Sequence, residues 1–201
     1  MFYIMSLIAI CGFQGAGKDT LANILIEKFG YTKISFAGSV KDSVSAIFGW
    51  DRQLLEGVTN KSREWREQVD EWWAKRLNIP NLTPRWVLQE IGTEVFRNHF
   101  HPDIWVASVE RKLEKLTGVV ITDVRFNNEI DTIRKLGGII IHIKRDVPHW
   151  YESLLNGYSD PPSHIHSSEY SWIKNKPDYT IENTGSINEL EDKIKKILSQ
   201  I

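Results

Sequence analysis

The amino-acid sequence predicts an α/β fold with three layers, in which a central parallel sheet is flanked by helices in a doubly wound arrangement. Two observations support this prediction. Five short apolar runs rich in β-branched residues alternate with segments of helical periodicity. The runs are apolar at nearly every position, which is typical of strands covered on both faces of a parallel sheet.

The predicted strands and helices follow from these two patterns. Strands are expected at residues 6–11, 32–36, 118–123, 138–144 and 178–182. Helices are expected at residues 20–29, 39–48, 64–77, 84–99, 104–116, 128–136 and 186–198. The last helix has the clearest start, because Ser186 is followed three residues later by Glu189 and the two can form a capping box.

Composition and charge narrow the class of protein. The 25 Lys and Arg residues balance 26 Asp and Glu residues and mix with them along the chain, so no basic block indicates a nucleic-acid surface. The single cysteine, Cys11, rules out an intramolecular disulfide framework and agrees with a reducing cytosol. Residues 1–13 are apolar, but they lack a basic start and are too short to span a bilayer. We therefore expect a buried first strand and a cytoplasmic protein.

Two segments interrupt the alternation of strands and helices. Residues 50–105 are mostly helical and charged and hold most of the 8 Trp residues, which could form an aromatic wall or pack in the core. Residues 146–177 contain four of the 7 prolines and are typical of a loop or lid. We predict one domain over residues 1–201 that includes both segments.

The stretch CGFQGAGKDT at residues 11–20 nearly matches the phosphate-binding pattern G-x-x-x-x-G-K-[ST]. It lies between a predicted strand and a predicted helix, which is the context that this loop requires. Backbone N–H groups and the helix N-terminus would bind phosphates, and Lys18 would reach the β- and γ-phosphates. The alternative is a tight glycine turn with a solvated lysine. The nucleotide-binding residues predicted here are Gly12, Gln14, Gly15, Ala16, Gly17, Lys18, Asp19 and Thr20.

Asp19 stands where the pattern places a hydroxyl that ligates Mg²⁺. A carboxylate also offers the hard oxygen that Mg²⁺ accepts, directly or through water. The alternative is an acidic residue that stabilises the start of a helix. Thr20 keeps a hydroxyl in the first helical turn, so both residues are candidate metal ligands.

A second group of candidate residues follows the third predicted strand. Asp123 lies at its carboxyl end, where a carboxylate can hold Mg²⁺ through water, and Arg125 could bind a phosphate in bidentate fashion. The alternative is that Asp123 caps the next helix and pairs with Arg125. Arg145, after the fourth strand, is either a lid arginine that acts in catalysis or an ordinary surface charge.

Several motifs, in order, are similar to those of bacteriophage deoxynucleoside monophosphate kinases, a family of P-loop nucleotide kinases. The similarity extends over most of the chain and is weakest at residues 50–82. The motifs are GKDT (17–20), FAGSVKDSVSAIFG (36–49), TPRWVLQEIGTEVFRNHFHPDIWV (83–106), TDVRFNNE (122–129), HSSE (166–169) and ENTGSINEL (182–190).

The resemblance implies a P-loop kinase fold and transfer of a phosphoryl group from ATP, with Mg²⁺, to a deoxynucleoside monophosphate. It places ATP and Mg²⁺ on residues 12–20 and makes Asp123 and Arg125 part of the strand-end motif. It makes 50–105 the acceptor-binding region. The residues that it implies for the monophosphate are Lys41, Arg85, Gln89, Arg97, Asp123 and Arg125.

The simpler alternative for Arg85 and Arg97 is ion pairing with the nearby Glu90 and Glu94 on the helix surface.

For residues 146–177 we expect a polar closure element that keeps water from the phosphoryl group. Its polar cluster could also suggest a metal, but no further Cys or spaced His supports a zinc site. The cluster consists of His164, His166, Ser167, Ser168 and Glu169.

Three other functions fit parts of the sequence. The first is a P-loop kinase for another small acceptor, such as a coenzyme precursor. The second is a nucleotide-binding switch protein of the GTPase type, since NKPD at 175–178 matches N-K-x-D, although it precedes a strand instead of following one. The third, a kinase for nucleic-acid ends, would need a basic groove. We expect small-molecule nucleotide partners, no stable nucleic-acid or membrane binding, and allow a homodimer.

Overall fold

The computed structural model describes residues 6–158, 161–163, 165 and 169–201. The strands are β1 (Leu7–Cys11), β2 (Thr32–Ile34), β3 (Val119–Ile121), β4 (Ile139–Lys144) and β5 (Tyr179–Glu182). The α-helices are α1 (Lys18–Phe29), α2 (Gly38–Phe48), α3 (Arg52–Glu56), α4 (Asn60–Glu67), α5 (Glu71–Leu77), α6 (Pro84–Gln89), α7 (Ile104–Leu113), α8 (Asn127–Lys135), α9 (Tyr151–Leu155) and α10 (Ile187–Leu198). A π-helix spans Glu90–Phe100 and a 3₁₀-helix spans Ser171–Lys174.

The five strands form one parallel sheet in the order β2-β3-β1-β4-β5. This confirms the predicted α/β fold and each predicted strand, to within two residues at every end. Because all strands run in the same direction, their carboxyl ends lie on one edge of the sheet. The segments after β1 and β3, which are neighbours, therefore emerge side by side, and so do the segments after β4 and β5.

The chain forms two compact units, of which the first combines residues 1–35 with residues 110–201. Its core lies between the sheet and helices α1 and α10. Ile8 and Ile10 from β1 pack there with Leu25 and Ile194, and none of the four side chains is exposed. Burial of this kind stabilises by about 25 cal/mol per Å² of apolar surface. Ser186 and Glu189 form the predicted capping box at the start of α10.

The second unit consists of residues 36–109 and has its own apolar core. Trp50 and Phe48 stack with ring centroids 4.5 Å apart, and Trp73 lies 4.8 Å from Phe48. Trp50 Nε1 donates to Asp70 Oδ2 at 2.8 Å, which satisfies the one polar atom of the indole. Trp50 and Trp73 thus pack in the core, which was one of the two interpretations of the tryptophans in residues 50–105; the other was an aromatic wall.

The predicted helix at residues 64–77 is wrong in its extent. The segment contains two helices, α4 and α5, because the Asp70 carboxylate accepts a hydrogen bond from Trp73 N and starts a new helix. Asp51 caps the short helix α3, which the apolar pattern did not predict. The continuous α-helix expected at 84–99 changes at Glu90 to π-helical hydrogen bonding.

The lid-like segment at 146–177 has regular structure at both ends, in α9 and in the 3₁₀-helix. Four residues of its polar cluster, His164, His166, Ser167 and Ser168, lie outside the described residues. Among the helices that the structure describes, none has the length and apolar character needed to cross a membrane.

A histidine is buried on the sheet itself. The imidazole of His142, in β4, packs 4.8 Å from the ring of Trp172 and 5.8 Å from that of Tyr151. Its Nε2 has no hydrogen-bond partner within the described part of the chain. Burial, and to a smaller extent the charge of Lys144, lowers the pKa of His142 to about 4.

His142 should make the folded state less stable in mild acid. The unfolded chain binds a proton at this histidine below about pH 6.5, whereas the imidazole in the folded protein stays neutral down to about pH 4. The free energy of unfolding therefore decreases as the pH is lowered from about 6.5 to about 4. At about pH 5 the expected loss is about 2 kcal/mol. Urea unfolding at about pH 7 and about pH 5 measures it. His142→Phe, which keeps an aromatic ring, should shrink the difference; an unchanged difference would contradict this assignment.

Candidate active site

The phosphate loop connects β1 to α1 and takes the conformation that its glycines permit. Gly15 and Gly17 have φ values of +82° and +101°, which L side chains rarely adopt. Gly17 is the N-cap of α1 and provides no side-chain cap to the first helical turn. The loop therefore presents backbone N–H groups and the positive end of a twelve-residue helix, which together favour a bound anion.

Lys18 lies over this loop. Its Nζ donates to Gly12 O at 2.8 Å and to Phe13 O at 2.9 Å. Burial lowers the pKa of Lys18, the charge of Asp19 opposes that shift, and the nearby charge of Arg125 adds to it. The ammonium group is thus held close to the loop by weak carbonyl acceptors, which phosphate oxygens can replace with stronger charge-assisted bonds.

Asp19 has a cationic partner. Its Oδ1 accepts from Lys33 Nζ at 2.7 Å and from Thr122 Oγ1 at 3.4 Å. Although burial favours the neutral acid, the bond and charge of Lys33 hold the pKa of Asp19 below its ordinary value. Most of the Asp19 side chain remains exposed, as does Thr20. Both side chains are exposed, which fits Mg²⁺, an ion bound in proteins through one or two carboxylates and several waters.

The segment after β3 lies at the same edge of the sheet as the phosphate loop. Asp123 is half-buried directly beyond the strand. Arg125 Nη1 donates to Glu169 Oε1 at 2.5 Å, so the predicted phosphate clamp is joined to the end of the lid-like segment.

Glu129 is the residue that shapes this segment. Its carboxylate, 1% exposed, accepts from Arg125 N at 2.8 Å and from Phe126 N at 3.1 Å. A carboxylate that binds two backbone N–H groups fixes the turn at the start of α8. Glu129 therefore sets the direction in which the chain leaves β3, and with it the place of Arg125.

Arg145 donates from Nε to the backbone oxygen of Asn183 at 2.9 Å. Its assignment as a lid arginine stays a prediction. Asn183, in turn, is buried, and its Nδ2 donates to Ala16 O in the phosphate loop at 2.8 Å. Asn183 belongs to the motif ENTGSINEL, but a single asparagine after a strand gives no signal of this contact.

Aromatic side chains from the lid-like segment enclose Phe13 of the phosphate loop. The Phe13 ring lies 5.5 Å from that of Trp150, 5.8 Å from Tyr151 and 5.3 Å from Trp172, in edge-on arrangements. Such pairs stabilise by about 0.5–1.5 kcal/mol beyond the area that they bury. The two ends of the segment are thus anchored on the loop.

In the second unit, Lys41 takes part in a network of four charged residues. Lys41 Nζ contacts Glu56 Oε2 at 2.6 Å, and its side chain is only 14% exposed. Arg52 contacts Glu56 and also Asp42, the latter at 2.6 Å. Lys41 is therefore held in place by a carboxylate before any ligand is bound.

The other predicted acceptor residues lie on α6 and on the π-helix. Arg85 and Gln89 are four residues apart on α6, are both exposed, and so lie on the same face. Arg85 pairs with Glu67, not with the Glu90 that the alternative expected. Arg97 Nη1 donates to Pro102 O at 3.4 Å. The structure thus brings Arg85 and Gln89 together and keeps Arg97 on a separate element.

Comparison with known proteins identifies the family. The family model described as deoxynucleotide monophosphate kinase matches residues 57–194, more than half of the chain. The chain belongs to the deoxynucleotide monophosphate kinase family. This confirms the resemblance expected from the sequence motifs.

Individual relatives extend the match over the phosphate loop. The deoxynucleotide monophosphate kinase of Enterobacteria phage T4 is 23% identical over 250 aligned positions, which cover 96% of this chain and 99% of that protein. A mimivirus protein (Acanthamoeba polyphaga mimivirus) with the provisional name deoxynucleotide monophosphate kinase is 32% identical over 155 residues, 70% of this chain and 75% of its own. The deoxynucleoside-5'-monophosphate kinase of Escherichia phage T5 is 27% identical over 179 residues, 64% of this chain and 72% of its own.

Proposed function

We propose that this protein transfers the γ-phosphoryl group of ATP to the phosphate of a deoxynucleoside monophosphate, giving the diphosphate and ADP. The observation that carries the proposal is the family match over residues 57–194, in a chain whose residues 11–20 form a phosphate loop with Lys18 lying over it. In this reaction an oxygen of the acceptor phosphate attacks the γ-phosphorus, and the bond from that phosphorus to the bridging oxygen of ADP breaks.

The donor side of the reaction uses groups that lie around the phosphate loop. The backbone N–H groups of residues 12–20 hold the ATP phosphates. Lys18 exchanges the carbonyls of Gly12 and Phe13 for β- and γ-phosphate oxygens, where its charge offsets the charge of the transferring group. Arg125 adds a second positive charge, since it lies close enough to Lys18 to affect the pKa of that residue.

The metal site of this proposal consists of Asp19, Thr20 and Asp123. These residues would hold Mg²⁺, which would supply positive charge against the negative charge of the phosphates. Lys33 donates to Oδ1 of Asp19, so Oδ2 could hold the metal while this bond is kept. Burial opposes ionisation of Asp19, but the bond and charge of Lys33 lower its pKa and favour the carboxylate form that would hold the metal.

We assign acceptor binding to Lys41, Arg85, Gln89 and Arg97. The cationic groups suit the monophosphate, and the exposed amide of Gln89 can form paired hydrogen bonds with a base edge. An aromatic side chain could stack on the base. Trp72, with 64% of its surface exposed, is better suited to this than Trp50 or Trp105, which are buried.

The lid-like segment has a part in this proposal as a barrier to water. Water in an open site would accept the phosphoryl group in place of the nucleotide. The contacts of Trp150 and Trp172 with Phe13, and of Glu169 with Arg125, connect both ends of the segment to the donor site. Arg145, at the start of the segment, is proposed to face the transferring group once substrates are bound.

The GTPase alternative is weakened by what the NKPD residues do in the structure. Asp178 Oδ2 accepts from Ile140 N at 2.7 Å, and Asn175 Nδ2 donates to Asn127 Oδ1 at 3.0 Å. Both side chains hold neighbouring backbone or side-chain groups, and the string precedes β5 instead of following a strand. Nothing in these contacts is arranged to read a guanine base.

A coupled assay of ADP release, run with each deoxyribo- and ribonucleoside monophosphate, tests the proposed function. Turnover that depends on a deoxynucleoside monophosphate is expected, with ATP preferred over GTP as donor. Absence of any monophosphate-dependent turnover would overturn the proposal. Turnover with an unrelated phosphorylated acceptor alone would favour a kinase for another small molecule.

Substitution Asp19→Ser separates the metal role of Asp19 from a structural one. If the carboxylate holds Mg²⁺, the variant should need about ten-fold more Mg²⁺ for half-maximal rate, while its affinity for ADP measured without metal is largely kept. Lys33→Met serves as the matched control, since it removes the partner of Asp19 and leaves the carboxylate. An unchanged Mg²⁺ requirement in Asp19→Ser would contradict the metal role and leave Asp19 with the structural role of stabilising the start of α1.

A further inference from the structure

Asn183 connects three parts of the sheet edge. It is the first residue after β5, and only 5% of its surface is exposed. Its N–H donates to Lys144 O at 2.8 Å, and its carbonyl accepts from Arg145 Nε at 2.9 Å. Its side chain reaches across to the phosphate loop, where Nδ2 donates to Ala16 O at 2.8 Å. The end of β4 thus fixes the backbone of Asn183, and Asn183 contacts the loop.

The bond to Ala16 O determines how one peptide of the loop is turned. The peptide that joins Ala16 to Gly17 is trans, so its C=O and N–H groups point in opposite directions. With the carbonyl directed at the buried amide of Asn183, the N–H of Gly17 is directed away from it. This is one of the N–H groups on which an anion at the start of α1 depends.

The space around Gly17 supports the same conclusion. A Cβ atom at Gly17 would lie 2.3 Å from Asn183 Nδ2, so the side chain of Asn183 occupies the place that any larger residue would need. The amide is therefore packed against the loop as well as hydrogen-bonded to it. Asn183 therefore contacts the phosphate loop at one peptide, the one that joins Ala16 to Gly17.

We propose that Asn183 is a positioning residue for phosphate binding, which holds the Ala16–Gly17 peptide with its N–H directed at the ATP phosphates. The inference rests on the proposed use of this loop for ATP. Its side chain must donate, because Ala16 O can only accept, and an amide is a neutral group that does so. Arg145 and β4 hold Asn183 itself, which gives Arg145 a function in the ligand-free protein.

Substitution Asn183→Asp tests the proposal, because aspartate has the same shape and keeps both backbone bonds but offers no donor to Ala16 O. The affinities for ADP and for inorganic tripolyphosphate are expected to fall by about ten-fold to a hundred-fold, as for a buried acceptor that loses its partner. The amide resonance of Gly17 in ¹⁵N-labelled protein should shift on addition of tripolyphosphate in the wild type and much less in the variant.

The matched control is Asn175→Asp, which makes the same chemical change at an amide that contacts Asn127. It should leave both affinities unchanged. Unchanged tripolyphosphate affinity in Asn183→Asp would overturn the proposal. If Asn183→Asp and Asn183→Ser both unfold at the assay temperature, the role of Asn183 is in stability and the proposal is equally overturned. Since these are binding measurements, failure to phosphorylate a monophosphate would contradict the proposed function alone.

Discussion

Lys18→Met is expected to lower kcat for phosphoryl transfer by about a thousand-fold, because it removes the positive charge closest to the transferring group. In the ligand-free protein Lys18 Nζ contacts only the carbonyls of Gly12 and Phe13 among the bonds described for it, so its loss costs the loop little. Methionine keeps most of the length of the side chain without the charge. The rate with saturating ATP and acceptor measures the effect.

The control for this change is Lys28→Met, on the exposed face of the same helix. It removes one positive charge from α1 without touching the loop, and its rate should remain within about two-fold of the wild type, as for an ordinary surface substitution. A thermal unfolding temperature close to that of the wild type would show that Lys18→Met is folded. A loss of less than about ten-fold in kcat would contradict the catalytic role of Lys18.

Gly17→Ala should weaken ADP binding by about a hundred-fold or more, since the new methyl would displace Asn183 and force alanine into a left-handed conformation. The φ of +101° and the 2.3 Å approach to Asn183 Nδ2 act together at this one position. Equilibrium binding of ADP, with and without Mg²⁺, measures the effect.

Gly15→Ala is the matched comparison. Gly15 also has a positive φ, +82°, but nothing lies within 4 Å of the place a Cβ would take. Only the backbone strain should appear, which corresponds to about a ten-fold loss. If the two alanine variants bind ADP equally well, the packing of Asn183 against the loop has no part in phosphate binding.

Most of the sheet could be predicted from the sequence because its strands are buried on both faces and read as apolar runs. The phosphate loop was also predictable, since its glycines and Lys18 occur at fixed spacing between a strand and a helix. Asp123 and Arg125 could be placed beside it because strand ends of a parallel sheet lie on one edge. These inferences depend on local pattern and on one topological rule.

The parts that could not be predicted depend on contacts between residues distant in sequence. Asn183 meets Ala16 across 167 residues, and Glu169 meets Arg125 across 44. No spacing or composition indicates such pairs. The break between α4 and α5 is a different case, because it depends on a local contact, the cap that Asp70 provides to Trp73 N, which apolar periodicity does not show. The π-helix at Glu90–Phe100 has no signature in apolar periodicity, which reads as an ordinary helix.

The most direct test of the account follows the phosphoryl group itself. ATP labelled at the γ-phosphate is incubated with the protein, Mg²⁺ and each deoxynucleoside monophosphate, and the labelled products are separated by chromatography. The account predicts one labelled deoxynucleoside diphosphate for each ADP formed, and none with Lys18→Met over the same time. Label found in inorganic phosphate, or retained on the protein, with no labelled diphosphate would contradict it.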